Sequence, residues 1–187
     1  MHAKNEINCR IVPDSTPMVI RHCSKCNKKM GFYCSEKFRI NSNGAKIDIW
    51  LIYKCSKCDT TWKLTIAKGT KPHDVPADKY EKYTNNDAAL AWEYAFDRGF
   101  LKQQSCEVDY SHINYSVESS GAVSCELPLL IRLKSAFTFD LKLSKFLAGV
   151  LNISASQLKA LGGKITTSPE CDIVKHKIRG DIDIWVQ

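Results

Sequence analysis

Four of the chain's nine cysteines stand as two matched pairs, Cys23-Ser24-Lys25-Cys26 and Cys55-Ser56-Lys57-Cys58. Thiols at this spacing serve one of two chemistries: closing a metal shell, or cycling between dithiol and disulfide. A redox dithiol of the thioredoxin kind uses a single Cys-x-x-Cys at a strand-to-helix junction, whereas here two copies bracket a hairpin signal. A two-residue gap lets both sulfurs of a pair face one ion, and four thiolates are the soft donors that tetrahedral zinc prefers. The spacing predicts one Zn²⁺ held by Cys23, Cys26, Cys55 and Cys58. A complete four-thiolate shell leaves no position at which to activate water, so the expected role is structural. His22 adjoins Cys23 and offers a substitute ligand, but the four cysteines already close the shell.

Such a site must be positioned by the 28 residues between Cys26 and Cys55. That gap exceeds the usual 15–20, so the insert has to fold back. Asn43-Gly44 marks the reversal as a type I′ turn. Before it, Phe32, Cys34, Phe38 and Ile40 alternate with Tyr33, Ser35, Lys37 and Arg39, with Glu36 as the one polar break. After it, Ile47, Ile49, Leu51 and Tyr53 alternate with Asp48, Trp50, Ile52 and Lys54, and Trp62, Leu64 and Ile66 continue beyond the second pair. Period-two patterning of this kind describes a three-stranded antiparallel sheet. A hairpin this small has little core, so the metal supplies on the order of 10 kcal/mol of its apparent folding free energy. Cys34, on the apolar face, reads as a small buried hydrophobe. Cys9, Cys106, Cys125 and Cys171 are isolated and read the same way.

Charge is unevenly spread. Residues 1–71 carry 14 Lys/Arg against 5 Asp/Glu, residues 72–140 carry 6 against 11, and residues 141–187 carry 7 against 4. The basic ends favour a polyanionic partner. Tyr33, Lys37, Arg39 and Lys63 point outward from the strands, with Lys25, Lys28, Lys29 and Lys57 on the knuckles, and amines beside exposed aromatics suit phosphate contact and base stacking. No run approaches the ~18 apolar residues of a membrane span. The opening residues lack the apolar core of a signal peptide, and an odd cysteine count fits a reducing compartment. A cytoplasmic protein with no membrane partner is expected.

The acidic middle turns helical from Asp78 to Gln104, after a linker at His73 to Pro76. Thr84-x-x-Asp87 can cap a start, Ala88, Leu90, Ala91, Tyr94, Ala95 and Leu101 make a 3.6-residue stripe, and Gly99 ends or interrupts it. Residues 106–118 alternate weakly, and Val123 to Leu133 is apolar enough for another strand. Asp109, His112 and Cys125 are the one conceivable catalytic set, but no nucleophile motif, phosphate-cradling loop or H-E-x-x-H frames them. No catalytic residue is assigned.

Near the C-terminus, Leu143, Phe146, Leu147, Val150 and Leu151 form an amphipathic helix. Ser154-Ala155-Ser156-Gln157 is a capping box with Ile153 and Leu158 as its staple, and Gly162-Gly163 offers a positive-φ stop. Lys164-Ile165-Thr166 then starts a strand, and Gly180-Asp181 turns into Ile182-Asp183-Ile184-Trp185-Val186. Lys142-Leu143-Ser144-Lys145-Phe146-Leu147, Ile153-Ser154-Ala155-Ser156, Gly163-Lys164-Ile165 and Gly180-Asp181-Ile182 resemble the RNA-binding module named after ribosomal small-subunit protein S-four. The resemblance implies two helices that present basic side chains to structured RNA, here Lys142, Lys145, Lys159 and Lys164. Ser144 stands where the module has Asp, and Ala155 where it has a principal RNA-contacting Arg.

From about Pro13 onward the chain also resembles a bacterial family known as domain of unknown function 1062. Arg21-His22-Cys23, the run from Phe32 to Asn41, the run from Asp48 to Cys55, and Tyr94-Ala95-Phe96-Asp97 carry that resemblance, which implies a bacterial source and no established activity. The reading is an α+β protein in three parts: a zinc ribbon over 1–71, an acidic helical and strand connector over 72–138, and an S-four-like helix-helix-sheet unit over 139–187. Its expected function is binding of structured RNA through Lys37, Arg39, Lys142, Lys145, Lys159 and Lys164. The alternative is a zinc-ribbon module that docks a protein partner.

Overall fold

Alternating apolar residues dominate the chain, and strands follow from them. A computed structural model describes residues 5–120 and 127–187. The first elements are β1 (Asn5–Pro13), β2 (Met18–Cys23), β3 (Lys28–Asn43), β4 (Lys46–Cys55) and β5 (Thr61–Thr70). Three helices follow, α1 (Ala77–Thr84), α2 (Ala88–Phe96) and α3 (Arg98–Gln103), and then β6 (Glu107–Asp109), β7 (Tyr115–Ser120) and β8 (Leu129–Ser135). The last elements are α4 (Leu143–Val150), α5 (Ala155–Ala160), β9 (Ile165–Ser168) and β10 (Ile182–Val186). The protein is mixed α+β, mostly strands in two sheets with few helices.

These elements group into two compact units. The cysteine unit is Ser15–His112, and the terminal unit joins the described residues of Met1–Asp14 to Ile113–Gln187. Changes of composition draw boundaries at 71 and 138, whereas strand pairing divides the chain after 14 and after 112. The difference has a physical cause: β1 lies in the basic N-terminal stretch, yet its hydrogen-bonding partners are β7 and β8.

In the cysteine unit the sheet order is β5-β4-β3-β2-β6, with every pairing antiparallel. The three expected strands are its β3, β4 and β5, and the sheet is wider than expected because β2 and the short β6 extend it to five. The weakly alternating stretch 106–118 is two strands, β6 here and β7 in the terminal unit. Glu36 breaks the alternation of β3 because a bulge sits there: Cys34 faces Tyr53, Lys37 faces Ile52, and Glu36 has φ 56°. The hairpin turn is shifted by one residue from the expected place. Asn43 still pairs with Lys46, leaving Gly44 and Ala45 as the loop. Of these two only Gly44 has positive φ, at 60°, which is the pattern of a turn with glycine at its first central position rather than type I′.

The apolar face of this sheet is roofed by helices. Leu51, Tyr53 and Leu64 are fully buried with Ala91, Ala95 and Leu101, and Ile47 and Ile49 pack with Tyr83 and Leu90. The bulge anchors the roof, since Trp92 Nε1 donates to Glu36 Oε1 at 2.6 Å and the Phe38 N–H donates to Asn86 Oδ1 at 2.8 Å. Asp87 and Asp97 set the starts of α2 and α3. Each caps a helix, accepting from the Leu90 N–H at 2.7 Å and the Phe100 N–H at 2.9 Å. Thr84 closes α1 instead of capping α2, and Gly99 lies inside α3.

The terminal unit's sheet runs β7-β1-β8-β10-β9, with β1 and β8 parallel and the other pairings antiparallel. The hairpin of β9 and β10 is therefore the edge of a five-stranded sheet, not a free-standing pair. Part of the predicted strand from Val123 lies outside the described residues. In α4, Leu143, Phe146 and Leu147 are buried as the stripe requires. The capping box at α5 forms in both directions: Ser154 Oγ accepts from the Gln157 N–H at 3.3 Å, and Gln157 Oε1 accepts from the Ser154 N–H at 2.8 Å. Gly162 and Gly163 do not supply a positive-φ stop. They continue into a 3₁₀ turn, Gly162–Lys164, because the Lys164 N–H bonds the Leu161 carbonyl at 2.8 Å.

Candidate metal centre and basic surfaces

Each cysteine pair sits in a hairpin turn, between β2 and β3 for Cys23 and Cys26, and between β4 and β5 for Cys55 and Cys58. The long spacer is the outward run of β3 and the return of β4. Antiparallel pairing of Phe32 with Cys55 brings both turns to the same end of the sheet. The Ser56 N–H donates to the Gly31 carbonyl at 2.9 Å, leaning the second turn on β3. A Cβ on Gly31 would meet Met18 Sδ at 2.8 Å, so a larger residue there would have to displace the Met18 side chain. Both turns finish on a left-handed residue, Asn27 at φ 51° and Asp59 at φ 56°. Asn and Asp are the non-glycine residues that tolerate this conformation best. The repeated Cys-Ser-Lys-Cys-Asn/Asp was therefore a legible knuckle signal that the spacing argument passed over.

The four Sγ atoms lie within 4.8 Å of one another. Cys23 and Cys58 are 3.5 Å apart and Cys26 and Cys55 are 3.9 Å apart, far beyond disulfide bonding distance. Tetrahedral metal–sulfur bonds of ~2.3 Å place sulfurs about 3.8 Å apart, so the arrangement fits one ion. Two thiolates ~4 Å apart repel by on the order of 4 kcal/mol at an effective dielectric of ~20. Four of them cannot share this space without a cation or protons among them. The local hydrogen bonds divide the thiols accordingly. The Thr60 hydroxyl, at 3.1 Å, and then the Thr60 N–H draw Cys58 down to about 6. The Cys26 N–H lowers Cys23. Cys26 is pushed up to about 12, chiefly by its contact with Cys58 and then by burial. Four cysteines thus lie together and could hold a metal ion. His22 is exposed on β2 and stands outside the cluster.

The remaining cysteines behave differently from these four. Cys9 and Cys34 are buried, and burial pushes Cys34 up to about 12. Cys171 is half-buried and not purely apolar in its surroundings, since its Sγ lies 3.4 Å from Thr167 Oγ1. Cys125 lies outside the described residues. Asp109 accepts from the Ser111 N–H at 2.8 Å, and His112 Nε2 meets the Thr16 carbonyl at 3.1 Å.

The basic residues singled out in the sequence fall into both units. Lys37 and Arg39 are exposed on the face of the sheet opposite the helices. Lys145 and Lys159 line one groove of about 1170 Å³ between α4 and α5, which also carries Glu170 and Asp172. Lys142 precedes α4 and pairs with Lys177 through an isolated bridge, and Lys164 is exposed in the 3₁₀ turn. Among the described residues, no helix is long and apolar enough to cross a membrane.

A two-sheet α+β chain with a four-thiol cluster between paired hairpin turns is the class that fold and site define. Residues 40–170 match the family model described as Protein of unknown function (DUF1062), and the chain belongs to that family. The second cysteine pair lies inside the matched span and the first precedes it. No curated protein and no solved structure matches the chain.

Proposed function

We propose that the protein is a zinc-stabilised, cytoplasmic RNA-binding protein, in which Cys23, Cys26, Cys55 and Cys58 hold one structural Zn²⁺ as a zinc ribbon. The observation that carries the metal is the convergence of four sulfurs at near-tetrahedral separations. All-sulfur donors favour zinc over the harder divalent ions. When bound, the metal neutralises charge and fixes the two turns. Lys25, Lys28 and Lys57 are exposed on or beside those turns, so the same ion holds a positively charged edge in place. Residues 139–187 are read as an S-four-like unit, supported by α4, the capped α5 and the antiparallel β9–β10 pair that follows them. Lys142, Lys145, Lys159 and Lys164 are its proposed phosphate contacts.

Elemental analysis of the purified full chain should return one zinc per chain, and another metal or none would overturn the zinc assignment. The RNA reading is tested by incubating the protein with total RNA at low salt and raising the salt. Retention that falls steeply with salt supports phosphate contact. Failure to retain any RNA at low salt removes it. Crosslinking in the native cell followed by sequencing would then name the target.

A further inference from the structure

The two faces of the cysteine unit's sheet are chemically unlike. One is covered by the helices. The other is read across three strands by the register. Arg39, Trp50 and Thr65 form one row, Lys37, Ile52 and Lys63 the next, and Tyr33, Lys54 and Thr61 the third. Trp50, Ile52 and Tyr33 are half-buried in these rows, and the cations beside them are exposed except Lys54, which is half-buried. Lys63 Nζ lies 4.8 Å from the centre of the Trp50 ring. Rows two residues apart along β4 are about 6.7 Å apart.

We infer that this face is a stacking platform for unpaired bases, so that the nucleic acid it takes is single-stranded. The inference rests on the RNA reading above and narrows it to a site and a ligand. Three features point the same way. Aromatic rings lying on a sheet have π-faces to offer, and a duplex has none free to meet them, because its bases are already stacked and paired. The cations flank Trp50 and Ile52 on both sides, Arg39 and Lys37 on β3 and Lys63 on β5, where a strand laid across β3, β4 and β5 would carry its phosphates. Among the described residues, Lys37, Arg39, Lys54 and Lys63 have no carboxylate partner, and the nearby carboxylates are engaged. Asp48 accepts from the Gly69 N–H at 2.7 Å, and Asp59 accepts from the Tyr33 hydroxyl at 3.0 Å. A base stacking on Trp50 takes the place of the Lys63 ammonium, which is then free to meet a phosphate.

The test uses the metal-loaded full chain and a labelled oligouridine of about a dozen nucleotides, beside an RNA duplex of equal charge. Single-strand binding should be the tighter, with a log–log salt slope of about −3 for four phosphate contacts. Trp50→Leu keeps apolar cover on the sheet and removes the aromatic face. It should weaken oligouridine binding about tenfold, as loss of one stacked base does, while Trp50→Phe restores most of it and duplex binding does not change. Lys134→Ala, on β8 of the other unit, should leave oligouridine affinity intact. If both RNAs bind equally, or Trp50→Leu binds as well as the wild type, the platform is wrong and the RNA reading stands. If neither RNA binds at low salt, both fall and the face belongs to a protein partner.

Discussion

In the cysteine unit, two hairpin turns brought side by side by β3 and β4 close four sulfurs into one cluster. In the terminal unit, β1 pairs in parallel with β8, joining Asn5 to Leu129 and Ile11 to Ser135 across more than a hundred positions. In the first unit β2 to β5 pair with their neighbours along the chain, and their turns meet at a four-thiol cluster that could hold a metal ion. The second depends on closing a long loop, whose entropic cost only apolar burial offsets. Ile131, Leu143, Leu147 and Ile184 are fully buried there. The contrast teaches where each unit is vulnerable: one to its ligands, the other to its packing.

The largest effect should follow from breaking the shell. Cys55→Ser, or a strong chelator, removes a binding free energy on the order of 10 kcal/mol from the cysteine unit. In hydrogen exchange of the full chain, amides of β3 and β4 should lose protection while those of β8 and β10 keep theirs. Loss of protection in both sheets at once would erase the distinction between a ligand-held and a packing-held unit. Next in size is the converse. Leu147→Ala leaves a cavity under α4 and should cost about 2–5 kcal/mol, seen as a lower urea midpoint for β8 and β10. Metal content should not change, and loss of zinc from this variant would show that the two units are not independently held.

What was legible in the sequence divides along the same line. Cys23, Cys26, Cys55 and Cys58, the alternation of β3 to β5 and the Ser154 capping box are local patterns, and each appears where the residues put it. The width of both sheets was not legible. Ile7, Cys9 and Ile11 alternate as clearly as Ile47, Ile49 and Leu51, but nothing local says that β1 leaves the cysteine pairs and joins β8. Glu36 was visible as a break without its reason, because a bulge is defined by the partner strand and by Trp92, 56 positions away. The outward face needed pairing register as well. Trp50 can be assigned to a cationic row only once Arg39 and Thr65 are known to flank it.

Helix caps offer a finer comparison because each unit holds one of similar kind. Asp87→Ala frees the Leu90 N–H in the cysteine unit, and Ser154→Ala frees the Gln157 N–H in the terminal unit. Each should cost about 1 kcal/mol. With zinc bound, Asp87→Ala should lower protection in α2 without reaching the strands beside the cluster. Ser154→Ala should lower the stability of the whole terminal unit, where no such cysteine cluster lies among the described residues. Equal spread in the two cases would weaken the contrast.

The smallest test is titration. Asp109 in the cysteine unit and Asp172 in the terminal unit each accept backbone N–H groups, from Ser111 at 2.8 Å, and from Val174 at 2.8 Å and Lys175 at 2.9 Å. In both cases those bonds hold the carboxyl below its ordinary range. A carboxyl whose folded value lies below its unfolded one, about 3.9 for Asp, stabilises the fold above that pH. The contribution disappears as pH falls through the folded value. Asp172→Asn should therefore lower the terminal unit's urea midpoint slightly at neutral pH, with the gap from wild type closing below about pH 4. Asp109→Asn should show no such closing. With the proposed zinc bound, acid would protonate the thiolates and release the metal before the carboxyl titrates, so the cysteine unit would already be open when Asp109 acts. A matching acid-side closing of the gap for Asp109→Asn, with metal still bound, would mean that packing and not the sulfur shell sets the stability of that unit.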